Sequence, residues 1–197
     1  MNAVKPRREI YAETTRRALL ETGRLYFLER GYAAVSAEEL VRAAGLTRGA
    51  LYHHFDGKQG LFEAVFEEVQ NEGLHRVGRA MAALPGSPEG QVVAGMEAYL
   101  DVCAEPAYRE IVLLQGPVAL GRERWLELHH TMRGVLLHGV TTLIDGGHLR
   151  EQPAETAAAA LYGALTELSL TITEAPDPAT ARAGATAVLR GFLASLA

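Results

Sequence analysis

Between Thr47 and Lys58 the chain reads Thr-Arg-Gly-Ala-Leu-Tyr-His-His-Phe-Asp-Gly-Lys. On a helix, Leu51 and Phe55 are four residues apart and share one face, so committing them inward turns Arg48, Gly49, Tyr52 and His53 outward. The Arg48 guanidinium suits the paired O6 and N7 acceptors of guanine. Gly49 and Ala50 are small enough to let a backbone approach base edges. Tyr52, His53 and His54 carry donors that suit phosphate oxygens. Lys58, at the start of the next helix, adds positive charge to amides that already favour an anion. This chemistry suits recognition of double-stranded DNA through the major groove, a plain amphipathic turn being the alternative for Tyr52-His53-His54-Phe55.

The rival chemistry is catalytic or metal-binding, on His129, His130, His138 and His148. The spacing argues against it. His129 and His130 are adjacent and point about 100° apart on a helix. His130 and His138 lie eight residues apart, without the i, i+4 arrangement that two ligands on one helix need. The single cysteine, Cys103, excludes an internal disulfide, a redox pair and a zinc site built on two cysteines. Neither a glycine-rich phosphate loop after a strand nor a nucleophile elbow is present. Catalytic residues, a metal and a cofactor are therefore not expected.

The elements that must hold the 47–58 segment read as helices throughout. Prolines and glycines fall where helices start and stop, and β-branched alternation is missing, which predicts an all-α chain. A first helix is expected over Glu13 to Arg30, stopped by Gly31. Ser36-Ala37-Glu38-Glu39 is a capping box that starts a short helix ending at Gly45, and Thr47 caps the next. Two short helices joined by a glycine turn make a helix-turn-helix candidate. Asp56-Gly57-Lys58-Gln59 opens a longer helix carrying Leu61, Phe62, Val65, Phe66 and Val69. Beyond it, prolines at 88, 106, 153 and 178 punctuate four more helices, and Gly116-Pro117 predicts an internal break.

The chain has 197 residues, 48% hydrophobic and 22% charged, enough for one ordinary core or two small ones. The net charge of −5 conceals a division: residues 1–60 carry 10 Lys+Arg against 7 Asp+Glu, residues 61–197 carry 9 against 17. Any nucleic-acid contact belongs to the front of the chain. No apolar run approaches the roughly 18 residues that span a bilayer, and Met1 to Tyr11 is basic without an apolar signal core. A soluble, cytoplasmic protein without membrane contact is expected.

Phe27, Glu29-Arg30-Gly31-Tyr32, Ser36, Leu40, the run from Ala44 to Phe55 and Lys58 together resemble the DNA-binding domain of the TetR family of transcriptional regulators. The resemblance covers about residues 12–66. It implies a helix-turn-helix domain over 1–60, with an N-terminal arm over 1–11, and a ligand-binding and dimerisation domain over 61–197. The function implied is a repressor that binds a palindromic operator as a homodimer and is released by a small molecule. The family's phosphate contacts fall here on Ser36, Thr47, Tyr52, His54 and Lys58, and its base-reading positions on Arg48, Ala50 and His53. Lys5, Arg7 and Arg8 resemble arms that approach the minor groove in some relatives, a solvated tail being the favoured alternative. Gly23 and Gly60 stand where alanine is commoner, each at a cost of up to about 1 kcal/mol of helix propensity.

The rest of the chain is less specific. Gly116-Pro117-Val118-Ala119-Leu120-Gly121 followed by Trp125 resembles one subtype of the family's C-terminal domain. Tyr99, Cys103, Tyr108, Leu114, Trp125, His129, Met132, Leu136, Tyr162 and Leu165 are candidates to line a cavity for a largely apolar effector. Ordinary bundle core is the alternative for the same residues. Arg109 or Glu167 would orient a polar ligand if it projected inward, an exposed face being the alternative. The last two helices, rich in alanine and leucine, correspond to the family's dimer interface, expected here on Ala157, Ala160, Leu161, Ala164 and Leu168, closure of a monomeric bundle being the alternative. Two other functions compete: an enzyme, and a helical ligand-binding module that does not bind DNA.

Overall fold

A computed structural model describes the backbone of residues 7–197, together with the side chains of Glu9 and of residue 11 onward. The described residues form α1 (Arg7–Arg30), α2 (Ala37–Ala43), α3 (Arg48–Phe55), α4 (Gly57–Ala82), α5 (Pro88–Ala104), a π-helical stretch Tyr108–Gln115, α6 (Gly116–Ala119), α7 (Arg122–Asp145), α8 (Ala154–Glu174) and α9 (Pro178–Ser195). No strand occurs among them, in accord with the all-α reading. None of these helices is long and apolar enough to cross a membrane.

Helix α1 starts at Arg7, six residues before the expected start at Glu13. The sequence from Arg7 to Ala12 contains neither glycine nor proline, so nothing in it opposes extension of the helix. Of the arm residues, Lys5 lies outside the described residues, as do the side chains of Arg7 and Arg8.

The chain divides into two compact units. The first holds the described residues up to Val69 together with 110–125, and the second holds 70–109 and 126–197. In the first unit, Leu19, Phe27, Leu40, Leu51, Leu61, Phe62, Val65 and Phe66 are fully buried. Phe62 meets Phe27 and Tyr32 edge-on, with ring centroids 5.2 and 4.9 Å apart. Burying such a side chain contributes roughly 1.5–3 kcal/mol.

Residues 116–119 do not break the helix, contrary to the expectation from Gly116-Pro117. In the wide π turn that precedes it, the Val112 carbonyl would look to the amide of residue 117, which proline lacks. The Trp125 indole donates to that carbonyl instead, at 2.9 Å. The helix therefore continues through a proline because a side chain from α7 supplies the missing donor.

In the second unit α8 packs on α5 and α9. Leu100, Leu143 and Leu161 fill its interior. Arg182 of α9 pairs with Asp101 of α5 and also donates to the Glu97 carbonyl. Arg190 pairs with Glu97.

Gly60 is not merely a weak helix former. A Cβ there would lie 1.5 Å from the Phe55 carbonyl oxygen, a backbone atom that cannot swing aside. The close approach of α4 to the end of α3 thus requires glycine. Gly78, in the same helix, has nothing within 4 Å of such a Cβ. Gly60→Ala is expected to destabilise by about 1–3 kcal/mol through overpacking. Gly78→Ala is expected to stabilise by up to about 1 kcal/mol through propensity alone. Urea unfolding of the two variants checks the contrast.

Candidate nucleic-acid interface and ligand cavity

The residues that position α3 are local and satisfied. The Ser36 hydroxyl accepts from the Glu39 amide at 3.2 Å, and Glu39 accepts in return from the Ser36 amide at 2.9 Å. Arg30 reaches the other Glu39 oxygen at 2.8 Å. The Ser36 amide, and next the Arg30 guanidinium, hold the Glu39 carboxyl down to about 2. The turn passes through Gly45 at φ +67°. Thr47 caps α3, accepting from the Ala50 amide at 3.3 Å, which leaves its own O–H free to donate.

Leu51 and Phe55 are buried at the base of α3. Thr47, Arg48, Gly49, Tyr52 and His53 are exposed along it, while Ala50 and His54 are half-buried. Arg48 donates to Glu38 of α2 at 2.8 Å and to the Tyr52 hydroxyl at 3.4 Å, and lies 5.4 Å from the centre of the Tyr52 ring. Its guanidinium is held at the front of α3 by one carboxylate and one phenol. Burial, then neighbouring His53 and Arg16, lowers the His54 pKa, which favours a neutral imidazole.

Two residues stand differently from the sequence expectation of simple phosphate contacts. The Ser36 hydroxyl is engaged by Glu39 in both directions, as acceptor from the amide and as donor to the carboxylate at 2.8 Å. The Lys58 ammonium donates to the Tyr32 and Val35 carbonyls, both at 2.9 Å, and sits 4.0 Å from the centre of the Tyr32 ring. Two of its three N–H donors thus hold the turn between α1 and α2.

Gln115 is a residue of this unit that sequence reasoning missed. Its carbonyl oxygen accepts from the Tyr32 amide at 2.9 Å, and its amide group donates to the Phe27 carbonyl at 3.0 Å. A glutamine more than 80 residues from its partners carries no local signal.

The cavity candidates fall into separate places. Tyr99, Met132, Leu136, Tyr162 and Leu165 line an apolar cavity in the second unit, of about 30 Å³. Cys103, Tyr108 and His129 are buried in the same unit. The Tyr108 ring lies 6.1 Å from that of Tyr99, and the His129 ring 5.6 Å from that of Tyr162, centre to centre. Burial pushes the Cys103 thiol up to about 12 and the His129 imidazole down to about 4, so both are neutral near pH 7. Arg109 is half-buried and Glu167 exposed, and neither lines the cavity. Trp125 and Leu114 belong to the first unit.

The residues expected at a dimer interface also divide. Leu161 is 0% exposed, packed inside its own bundle. Ala157, Ala164 and Leu168 are half-buried and Ala160 is exposed. At Gly163 of α8 and at Gly184 and Gly191 of α9, an added Cβ would meet nothing within 4 Å.

Lys58→Ala removes the donor to the Val35 carbonyl and leaves the Tyr32 carbonyl with only the Val35 amide at 3.4 Å, and is expected to destabilise the DNA-free protein by about 1–3 kcal/mol. A lysine that only touched phosphate would change that stability by less than about 0.5 kcal/mol. Chemical unfolding without DNA separates the two.

Comparisons with known proteins agree with this geometry. The family model described as "Bacterial regulatory proteins, tetR family" matches residues 19–65, and that described as "Tetracyclin repressor-like, C-terminal domain" matches residues 90–196. The Transposon Tn10 TetC protein of Escherichia coli is 39% identical over 56 residues, 28% of each chain. The HTH-type transcriptional repressor Rv1474c of Mycobacterium tuberculosis is 36% identical over 85 residues, 39% of this chain and 46% of that one. The chain thus spans less than half the length of these curated relatives. The solved structure of a TetR-family transcriptional regulator from Pectobacterium atrosepticum is similar over 98% of this chain and 97% of its own, with a TM-score of 0.75 and 33% identity. With one family model covering more than half of the sequence and a second covering the helix-turn-helix, the chain belongs to the TetR family of transcriptional regulators.

Proposed function

We propose that the chain is a ligand-responsive transcriptional repressor that binds a palindromic DNA operator as a homodimer in the cytoplasm and leaves it when a small, largely apolar molecule binds. The observation that carries this reading is the division of α3, with Leu51 and Phe55 buried while Arg48, Gly49, Tyr52 and His53 stay exposed. Residues 1–60 read DNA, and residues 61–197 bind the effector and dimerise. Arg48, Ala50 and His53 meet base edges. Thr47, Tyr52, His54 and the third Lys58 donor meet phosphates, and Ser36 acts mainly by capping α2.

A homodimer follows from the reading, because one short helix spans too few base pairs to be selective. The open faces at Ala160, Gly163, Gly184 and Gly191 support α8 and α9 as its interface, since small side chains let helices approach closely. Leu161 supports that interface from within, as packing beneath it. Effector binding acts by favouring one spacing of the two recognition helices over another, through a coupling on the order of 1–3 kcal/mol.

Arg48→Ala is expected to relax base choice at one position of each half-site, at a cost of about 1–3 kcal/mol for the preferred base. Glu38→Gln frees the guanidinium of its carboxylate and is expected to reduce the same discrimination while raising affinity for unrelated duplexes. Competition mobility-shift assays with the selected operator and single-base variants check both. Wild-type discrimination in the Arg48 variant would contradict the assignment of α3 as the reading helix.

A further inference from the structure

The wall of the second unit's cavity has an unusual composition. The chain holds four methionines, and the three beyond Met1, namely Met81, Met96 and Met132, all line this cavity. Aliphatic side chains and two glycines complete it, apart from Tyr99 and Tyr162. No charged side chain is among the described residues that line it. The two tyrosine hydroxyls are 3.1 Å apart and bonded to each other, either one as the donor. They are the polar groups of an otherwise apolar wall.

Three consequences follow from chemistry alone. An ion entering this space would shed its water and meet no charged side chain in the wall, which is costly for a carboxylate or an ammonium alike. A hydroxyl or carbonyl group would instead find a partner, since a phenol both donates and accepts. The cavity, at about 30 Å³, is also small, with room for only about two waters. An occupant larger than water must move the wall, and methionine, unbranched with three rotatable bonds, is the side chain that re-packs most readily.

We infer that this cavity takes an uncharged, mainly apolar molecule carrying one hydroxyl or carbonyl group, seated with that group on the Tyr99 and Tyr162 hydroxyls and with its apolar body among the three methionines. The inference rests on the proposal that the second unit binds the effector, and narrows it to a chemical class. Among molecules that the wall can re-pack around, charge is what the cavity refuses.

The test uses the full-length protein labelled with ¹³C at the methionine methyls, with Met81, Met96 and Met132 assigned by single leucine substitutions. The probes are 1-hexanol, hexanoate, hexylammonium and hexane, which share a six-carbon chain and differ at the head. 1-Hexanol is expected to shift all three resonances in a saturable way, with hexanoate and hexylammonium at least about tenfold weaker. Tyr162→Phe is expected to weaken 1-hexanol about tenfold and to leave hexane unchanged. The head-group series in the wild-type protein stands even if that variant folds poorly. Binding of either ion as tightly as 1-hexanol, or of hexane as tightly as 1-hexanol, would overturn the inferred class while leaving the cavity as an effector site. If no probe moved any of the three resonances, the cavity would not be a ligand site, and the effector-binding reading of this unit would fall with it.

Discussion

The turn from Gly31 to Val35 is pinned by hydrogen bonds from two distant side chains, and the placement of the helix-turn-helix depends on that pin. Lys58 draws in the Tyr32 and Val35 carbonyls, and Gln115 brackets the turn by taking the Tyr32 amide and the Phe27 carbonyl. The turn leads directly into the Ser36 cap, so its conformation sets where α2 begins. Helix α3 then follows through the Gly45 turn, with Leu51 and Phe55 locked into the core beneath it. A buried carbonyl left without a donor costs about 1–3 kcal/mol, and the Val35 carbonyl takes its donor from Lys58, so the pinned geometry is favoured over one that gives up that bond.

Both residues of the pin sit on stretches of chain that continue into the second unit. Lys58 lies near the start of α4, a single helix whose residues from Gln70 onward belong to that unit. Gln115 ends the π-helical stretch that begins at Tyr108, beside Tyr99 in the buried aromatic cluster. In the proposed function these are the covalent routes by which a molecule held near Tyr99 and Tyr162 biases the DNA-reading unit. The bias is reciprocal by necessity: an effector that weakens operator binding is itself bound more weakly by the operator complex.

Local features of the fold were legible in the sequence, and long-range ones were not. The Ser36 capping box, the Thr47 cap and the inward pair Leu51 and Phe55 depend on neighbours within four residues, so spacing alone reveals them. The all-helical architecture followed from proline and glycine placement for the same reason. Lys58 looked like a free phosphate ligand because its carbonyl partners are 23 and 26 residues away. Pro117 looked like a break because nothing local announces the Trp125 indole. Gly60 looked like lost helix propensity because the Phe55 carbonyl that requires it is brought close only by the sharp turn at Asp56 and Gly57, both at positive φ. The cavity wall was legible in part, since aromatic and methionine residues at helical spacing read alike whether they fill a core or line a space.

The central claim is that the exposed side of α3 reads DNA as one half of a two-fold pair. Selection of duplexes from a random library by the full-length protein, at a stated salt concentration, tests it most directly. The account predicts enrichment of an inverted repeat whose half-site centres lie about one helical turn, 34–36 Å, or a whole multiple of it apart. Enrichment of no sequence, or of an unrepeated site that Arg48→Ala selects equally well, would contradict it.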